Sequence, residues 1–182
     1  MIKYEKLARC TAVVACSLAM HTACFAVDSV SLEAGGGEKV SLARVGVQWD
    51  WDKQWFKSND SFIGGYWDLT AQQWHEKRFQ DRPGASRTIS SIGITPVFRY
   101  QNTNKKGFYA EAGIGAHLFS HLYDNDGKQE STAFLFGDHL GIGYVFTNGI
   151  DLSLKLQHFS NGGIKEPNDG VNFAVLKLGY HF

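Results

Sequence analysis

The sequence predicts an all-β protein, an eight-stranded antiparallel up-and-down transmembrane β-barrel, and three observations support this prediction. Six segments alternate apolar side chains with small or charged ones at a period of two residues. Glycine and aromatic residues are abundant, with 20 Gly, 13 Phe, 7 Tyr and 5 Trp. The chain ends in Phe182, which shares a strand face with Tyr180 and Leu178, and a terminal aromatic of this kind resembles the assembly signal of outer-membrane barrels.

The composition excludes several other classes of protein. Eighteen Lys and Arg balance 18 Asp and Glu, whereas a nucleic-acid-binding protein needs a cationic excess. Only 3 Pro and no charge excess argue against a disordered chain. A mean hydropathy of −0.24 without a long apolar run excludes a bundle of membrane helices. A membrane barrel stays compatible, because its strands bury only every second residue in lipid.

Residues 1–26 have the pattern of a secretory signal peptide. Basic residues precede an apolar core at 10–20, which is too short to span a bilayer. Cys24 and Ala26 supply the small residues that cleavage after Ala26 requires. The mature protein is then residues 27–182, one outer-membrane barrel domain without cysteine. A lipoprotein that uses Cys16 is the alternative.

The mature chain is predicted to contain eight strands, six with clear alternation and two weaker ones. In order they are 28–36, 39–51, 62–75, 88–101, 106–120, 131–146, 149–162 and 170–182. The connections at 102–105 and 147–149 are short turn formers, whereas those at 76–87 and 121–130 are longer and more charged. Short turns at one end and long loops at the other are typical of outer-membrane barrels.

A soluble sandwich or lipocalin-like barrel is the alternative fold. The residues that the two-residue period places on the inner face of the strands argue against it. In a soluble barrel the apolar face of each strand would point inward, but here the interior candidates are polar or charged. They are Gln48, Arg99, Glu111, Lys155 and Lys177. Such residues suit the narrow lumen of an eight-stranded barrel, where opposite charges pair. The same narrow lumen leaves no aqueous channel, which excludes a porin. Aromatic residues near the strand ends fit interfacial girdles: Trp49, Trp51, Trp55, Trp67, Tyr100 and Phe146.

The candidate chemistry lies in the seventh predicted strand. Period two places His158 and Ser160 on the face of Leu152, Leu154 and Leu156, which looks into lipid. Polar side chains there carry a desolvation cost that a purely structural strand would avoid. A histidine two residues from a serine on one face is a feasible nucleophile–base pair at the level of the outer leaflet. Polar residues seated among lipid headgroups are the alternative interpretation of this pair.

The segment from His158 to Gly170 closely resembles the signature of the lipid A 3-O-deacylase (PagL) family. The segments Trp49–Trp55 and Glu111–Gly115 also match, so the resemblance extends over essentially the whole mature chain. It implies an eight-stranded outer-membrane barrel with a serine-hydrolase site on its outer surface. Ser160 would attack the ester at position 3 of lipid A, and His158 would take and return the proton.

The resemblance also implies the remaining parts of the site. Donors for the oxyanion would be the Asn161 and Asn168 side chains or the Gly163 N–H. The reaction needs no metal or other cofactor. The partners would be lipid A or lipopolysaccharide and the surrounding outer-membrane lipid, and the oligomeric state stays open between a monomer and a homodimer. Loop cations suit lipopolysaccharide phosphates in an enzyme and equally in the alternative, a non-catalytic structural or surface-binding barrel: Lys77, Arg78, Arg82 and Arg87.

One position departs from the family pattern. The pattern has a Glu fourteen residues after the histidine, and this sequence has Asn172 there. Strand parity predicts that Asn172 shares the lipid face with His158. An amide oxygen can accept a hydrogen bond from the imidazole, but it cannot stabilise the imidazolium by charge. Glu166 or Asp169 in the adjoining loop are the alternative acids.

Overall fold

A computed structural model describes residues 26–182. The predicted signal peptide lies outside this range except for Ala26. In residues 26–182, eight antiparallel strands form one closed barrel, in which neighbours in the chain pair and the last strand pairs with the first. The barrel strands are β1 (Ser29–Gly37), β2 (Val40–Asp50), β3 (Ser61–Glu76), β4 (Arg87–Asn102), β5 (Gly107–Phe119), β8 (Phe134–Val145), β9 (Ile150–Ser160) and β10 (Val171–His181). The predicted fold class and strand order are confirmed.

The two ends of the barrel differ in their connections. One end, here called the turn end, carries the start of β1, the end of β10, the tight turns at 103–106 and 146–149, and the longer connection at 51–60. The opposite end, the loop end, carries the tight turn at 38–39 and the longer loops at 77–86, 120–133 and 161–170. A short hairpin of β6 (Asp124–Asn125) and β7 (Lys128–Gln129), which the periodicity does not predict, lies in the second of these loops. Within the described residues no helix is long and apolar enough to cross a membrane.

The outer surface of the barrel is apolar along every strand. Leu32, Ile92, Leu140 and Leu156 are each at least 60 % exposed, and the outward-facing apolar residues of the other strands, such as Val45, Leu69, Ile114 and Leu178, are also exposed. Closure removes free strand edges, so only side chains face outward. Exposed aromatic residues in edge-to-face pairs surround the turn end, including Phe108–Tyr144 and Tyr180–Phe182. This surface fits a hydrocarbon environment with an interfacial aromatic girdle.

The charged side chains predicted to face the lumen do so, and they form ion pairs there. Glu33 lies between Arg44 at 3.0 Å and Lys155 at 2.7 Å. Arg99 pairs with Glu111 at 2.7 Å, and all of these side chains are buried. Ionised groups inside a barrel are stable only when they are paired in this way.

Toward the loop end the lumen is closed by apolar side chains instead. Trp74 is fully buried and contacts Phe119, Phe159 and Phe173 with ring centroids 4.5–4.8 Å apart. The prediction that the inner faces of the strands are small or charged is therefore wrong in this layer. Phe159 and Phe173 have interior parity and fill the lumen beneath the loops, so the strand segments that carry the site rest on a packed aromatic layer.

Candidate active site

Three neighbouring strands bring the candidate residues together at the loop end. In the strand register, His158 of β9 lies opposite Asn172 of β10 on one side and opposite Asp138 of β8 on the other. All three alternate with lumen residues, so their side chains share the outer face. Ser160 follows on the same face, two residues toward the loop end, and its Cα is about 6.6 Å from that of His158.

Asn172 is hydrogen-bonded to the histidine. His158 Nδ1 lies 2.8 Å from Asn172 Oδ1. Because that oxygen can only accept, Nδ1 carries the hydrogen and donates it, and Nε2 keeps its lone pair. The imidazole is therefore held in the tautomer that can take a proton at Nε2.

Gly170 forms the surface against which the imidazole packs. A Cβ at this position would lie 2.6 Å from Cε1 of His158, and the backbone φ of +70° is unfavourable for other residues. A side chain here would displace the histidine ring. The glycine is thus required both by the turn into β10 and by the close approach of His158.

The hydroxyl group of Ser160 is free of hydrogen bonds in the described part of the chain. The residue is half-buried and pairs in the register with Phe136 of β8. Among residues 26–182 its side chain has no hydrogen-bond partner. Ser160 and His158 make no hydrogen bond to each other, but a serine without a structural bond, two residues along one strand face from a histidine with a free Nε2, has the composition of a nucleophile–base pair.

The loop from 161 to 170 is organised around Asn161. This residue is fully buried, with parity opposite to that of Ser160. Its Nδ2 donates to the Lys165 carbonyl at 2.7 Å and to Ser131 Oγ at 3.2 Å. The Asn161 amide is therefore used within the loop and is not free to bind an oxyanion in this arrangement.

The other two predicted oxyanion donors are available. Asn168 accepts the Asn161 N–H at 2.8 Å through Oδ1, and its Nδ2 has no partner in the described part of the chain. Gly163 is exposed, with φ of +76°, and its N–H likewise makes no hydrogen bond within residues 26–182. Both groups lie in the loop that follows Ser160.

Glu130 anchors both ends of this loop, and the sequence analysis missed it. Its Oε1 accepts the Gly170 N–H at 2.7 Å, and its Oε2 accepts the Asn161 N–H at 3.2 Å. The side chain is buried, and burial raises its pKa. One carboxylate thus joins the residue after Ser160 to the glycine beneath His158. Glu130 lies in a loop without periodicity, so no sequence signal indicated this role.

The two alternative acids do not reach the histidine. Asp169 accepts the Gln129 N–H at 2.6 Å, and the exposed Glu166 side chain makes no hydrogen bond or ion pair among the described residues. Asp138 is the carboxylate that the register places beside His158. Its parity with Leu140 would have indicated a lipid-facing acid in the sequence, but not which residue lies opposite it.

The predicted loop cations lie at the loop end, and two of them are already paired. Arg78 forms ion pairs with Asp81 at 3.0 Å and Asp126 at 3.2 Å. Arg87 binds Glu76 at 2.6 Å. These guanidinium groups therefore also stabilise the loops. Within residues 26–182 no group of three or more His, Cys, Asp and Glu is arranged to hold a metal ion.

Comparison with known proteins identifies relatives along nearly the whole barrel. The family model described as "Lipid A 3-O-deacylase (PagL)" matches residues 41–181. The Pseudomonas aeruginosa protein named lipid A deacylase PagL is 34% identical over 168 residues, 91% of this chain and 92% of that relative. The protein of the same name from Bordetella bronchiseptica is 35% identical over 156 residues, 84% of this chain and 83% of that relative. The crystal structure of the outer membrane enzyme PagL superposes with a TM-score of 0.73 at 31% identity, covering 85% of this chain and 99% of that chain.

Proposed function

Since the chain belongs to the lipid A 3-O-deacylase (PagL) family and is an ester hydrolase, we propose that Ser160 and His158 release the 3-hydroxyacyl chain from position 3 of lipid A. One observation supports this assignment above the others. Polar side chains interrupt the apolar outer face at the loop end: His158, held by Asn172 in the tautomer that leaves Nε2 free, lies on the same strand face as Ser160, whose hydroxyl makes no hydrogen bond within residues 26–182. A lipid substrate reaches that face directly from the membrane.

In the first half of the reaction, Ser160 Oγ attacks the ester carbonyl while His158 Nε2 takes the hydroxyl proton. The bond between the carbonyl carbon and the sugar oxygen then breaks, and the imidazolium gives its proton to that oxygen. The product is a sugar with a free 3-hydroxyl and an acyl group on Ser160. In the second half, water attacks the acyl-serine with His158 again acting as base, which releases the 3-hydroxy fatty acid.

The proposed supporting roles follow from which hydrogen-bonding groups of the site already have partners and which do not. Asn172 holds the Nδ1–H of His158 and so keeps Nε2 basic. The Asn168 amide nitrogen and the Gly163 N–H are the proposed donors to the oxyanion, because each is without another partner in residues 26–182. Asn161 contributes through the loop conformation that presents them.

The proposed location is the outer membrane, with the loop end at the outer leaflet. Both ends of the barrel sequence lie at the turn end, which suits a barrel whose termini face the periplasm. Removal of residues 1–26 as a signal peptide is part of this proposal. It predicts that residues 27–182 fractionate with outer membranes and migrate in gels as a heat-modifiable barrel. Recovery of the processed chain as a soluble periplasmic protein would contradict it.

Mass spectrometry of lipid A tests the function. Lipid A from cells that express the parent protein, or from purified lipopolysaccharide incubated with it, should lose one 3-hydroxyacyl chain. The corresponding 3-hydroxy fatty acid should be released. Ser160→Ala and His158→Ala should each abolish release while the barrel still folds, because members of a serine-hydrolase unit fail together.

Ser153→Ala is the matched control. Ser153 lies on the same strand but faces the lumen, is buried, and has no hydrogen-bond partner for its hydroxyl in the described residues. Its removal should leave release unchanged. Lipid A that is identical with and without the parent protein would instead support the non-catalytic barrel.

A further inference from the structure

Asp138 is a carboxylate on the lipid-facing surface without a structural partner. Its side chain is exposed and makes no hydrogen bond or ion pair within residues 26–182. An ionised carboxylate on this face is costly, and a barrel strand would normally have an apolar residue there. By contrast, the lumen carboxylates Glu33, Glu111 and Asp151 are paired with cations, and Asp68 accepts a hydrogen bond from Gln48 at 2.7 Å.

The register gives Asp138 a specific neighbour. It lies directly opposite His158 on β8, and Asn172 lies opposite His158 on β10. Side chains opposite each other on one face have Cβ atoms about 4.5–5.5 Å apart. Asp138, His158 and Asn172 also line one hollow of the outer surface together with Leu140, Leu156 and Ala174. The imidazole is thus flanked by an amide on one side and a carboxylate on the other.

A negative charge beside the imidazole stabilises the imidazolium that forms in the proposed reaction, and Asn172 cannot supply it. In a Ser-His-acid triad one carboxylate both orients the imidazole and stabilises the imidazolium. Here Asn172 orients the imidazole through its hydrogen bond, but another group must stabilise the charge of the imidazolium. Glu130 uses both carboxylate oxygens on backbone N–H groups, and Asp169 is bound to the Gln129 N–H.

Resting on the function proposed above, we propose that the Asp138 carboxylate stabilises the imidazolium of His158 during acyl transfer. The two tasks of the triad acid are divided between two strands, with orientation by Asn172 on β10 and charge by Asp138 on β8. Asp138 acts through His158 and does not touch the ester, so it is a positioning residue.

The test compares Asp138→Asn and Asp138→Leu with the parent on purified lipopolysaccharide in detergent. Asparagine keeps the shape without the charge, and leucine is the residue that a lipid-facing strand would otherwise carry. Because both remove the charge, both should lower kcat by about 10- to 100-fold with little change in KM. Gel mobility verifies that the barrel has folded.

The pH profile separates this role from a merely structural one. A carboxylate beside a histidine favours the protonated imidazole, so its removal should move the acid limb of kcat/KM to lower pH. The charged groups around His158 are Asp138 on β8, Glu130 in the loop before β8 and Asp169 in the loop before β10, while β10 itself presents the neutral Asn172. Glu130 and Asp169 are unchanged in every variant, so the shift reports on Asp138. Glu166→Gln, which removes an exposed carboxylate from the adjoining loop, is the control and should leave the limb in place.

A double substitution provides the strictest test. Asn172→Glu combined with Asp138→Asn returns one carboxylate to His158 from the opposite strand, and it should recover most of the rate lost in Asp138→Asn. A parent kcat and an unmoved acid limb in both Asp138 variants would overturn the proposal. Ser160→Ala is assayed in parallel, since full activity in that variant would refute the proposed function itself, whatever Asp138 does.

Discussion

The two faces of β9 both carry polar side chains, but the charged ones on the lumen face are paired, whereas Ser160 on the lipid face has no partner within residues 26–182. On the lumen face, Lys155 is buried and paired with Glu33 at 2.7 Å, and Asp151 accepts from Tyr109 while pairing with Arg99. On the lipid face, Ser160 has no partner among the described residues. Matched polar groups in a closed lumen stabilise the barrel, whereas unmatched ones on a lipid-facing strand lower its stability. This difference between the two faces supports the proposal that Ser160 and His158 act in catalysis.

The largest stability effect is expected on the lumen face. Asp151→Ala removes the anion that pairs with Lys177 at 3.4 Å and Arg99 at 3.3 Å, and it leaves buried positive charge uncompensated. The free energy of unfolding should fall by about 3–5 kcal/mol. Urea titration followed by gel mobility measures it. The release rate per folded barrel should not change, because Asp151 lies near the turn end, and a proportional loss of activity would weaken the distinction between the two faces.

An intermediate effect is expected where the loop meets the lipid face. Glu130→Ala leaves the Gly170 N–H without its acceptor, at a cost of about 1–3 kcal/mol, and leaves the Asn161 N–H with Asn168 Oδ1 as its remaining acceptor. The loop at 161–170 should become sensitive to protease, and release should fall about tenfold or more, since 1.4 kcal/mol corresponds to one decade of rate.

Glu130→Gln refines this prediction. Its amide oxygen can still accept one of the two N–H groups, so protease sensitivity and rate should lie between those of the parent and Glu130→Ala. A Glu130→Ala protein with a protected loop and the parent's rate would show that the carboxylate does not hold the site.

A smaller effect, with a change of sign, is expected at Asn172. Asn172→Glu should raise the deacylation rate a few-fold, because a carboxylate at this position both holds Nδ1–H and stabilises the imidazolium. Asn172→Ala should lower the rate, because it removes the 2.8 Å hydrogen bond that selects the tautomer. Release of 3-hydroxy fatty acid measures both, with folding verified by gel mobility. If both folded variants match the parent, Asn172 is not the functional partner of His158.

The smallest effect is expected for an exposed ion pair at the turn end. Lys105 lies 2.7 Å from Asp50 with both side chains partly in solvent. Lys105→Ala should change the unfolding free energy by less than about 1 kcal/mol and should leave release unaffected. A loss comparable to that of Asp151→Ala would mean that burial is not what separates the lumen pairs from the rest.

The sequence carried enough information to place the candidate residues on the correct surface. Alternation at period two is a local property of a strand, so the parity of His158, Ser160 and Asn172 with the lipid-facing leucines follows without any knowledge of neighbours. The shared outer face and the eight-stranded order were predictable for the same reason. The aromatic layer around Trp74 was not, because parity shows that Phe159 and Phe173 point inward but not that their rings meet there.

The sequence alone thus determined which face each strand residue occupies, and the tertiary structure decided which residues meet. Pairing between β8 and β9 depends on the stagger that closes the barrel, and a shift of register by two would place another residue than Asp138 opposite His158 without changing any parity. The contacts of Glu130 depend on the path of two loops, where backbone N–H groups have no repeating pattern to follow. The alternation of faces is determined by the local sequence of each strand, whereas the register and the loop paths are determined by the closed barrel as a whole.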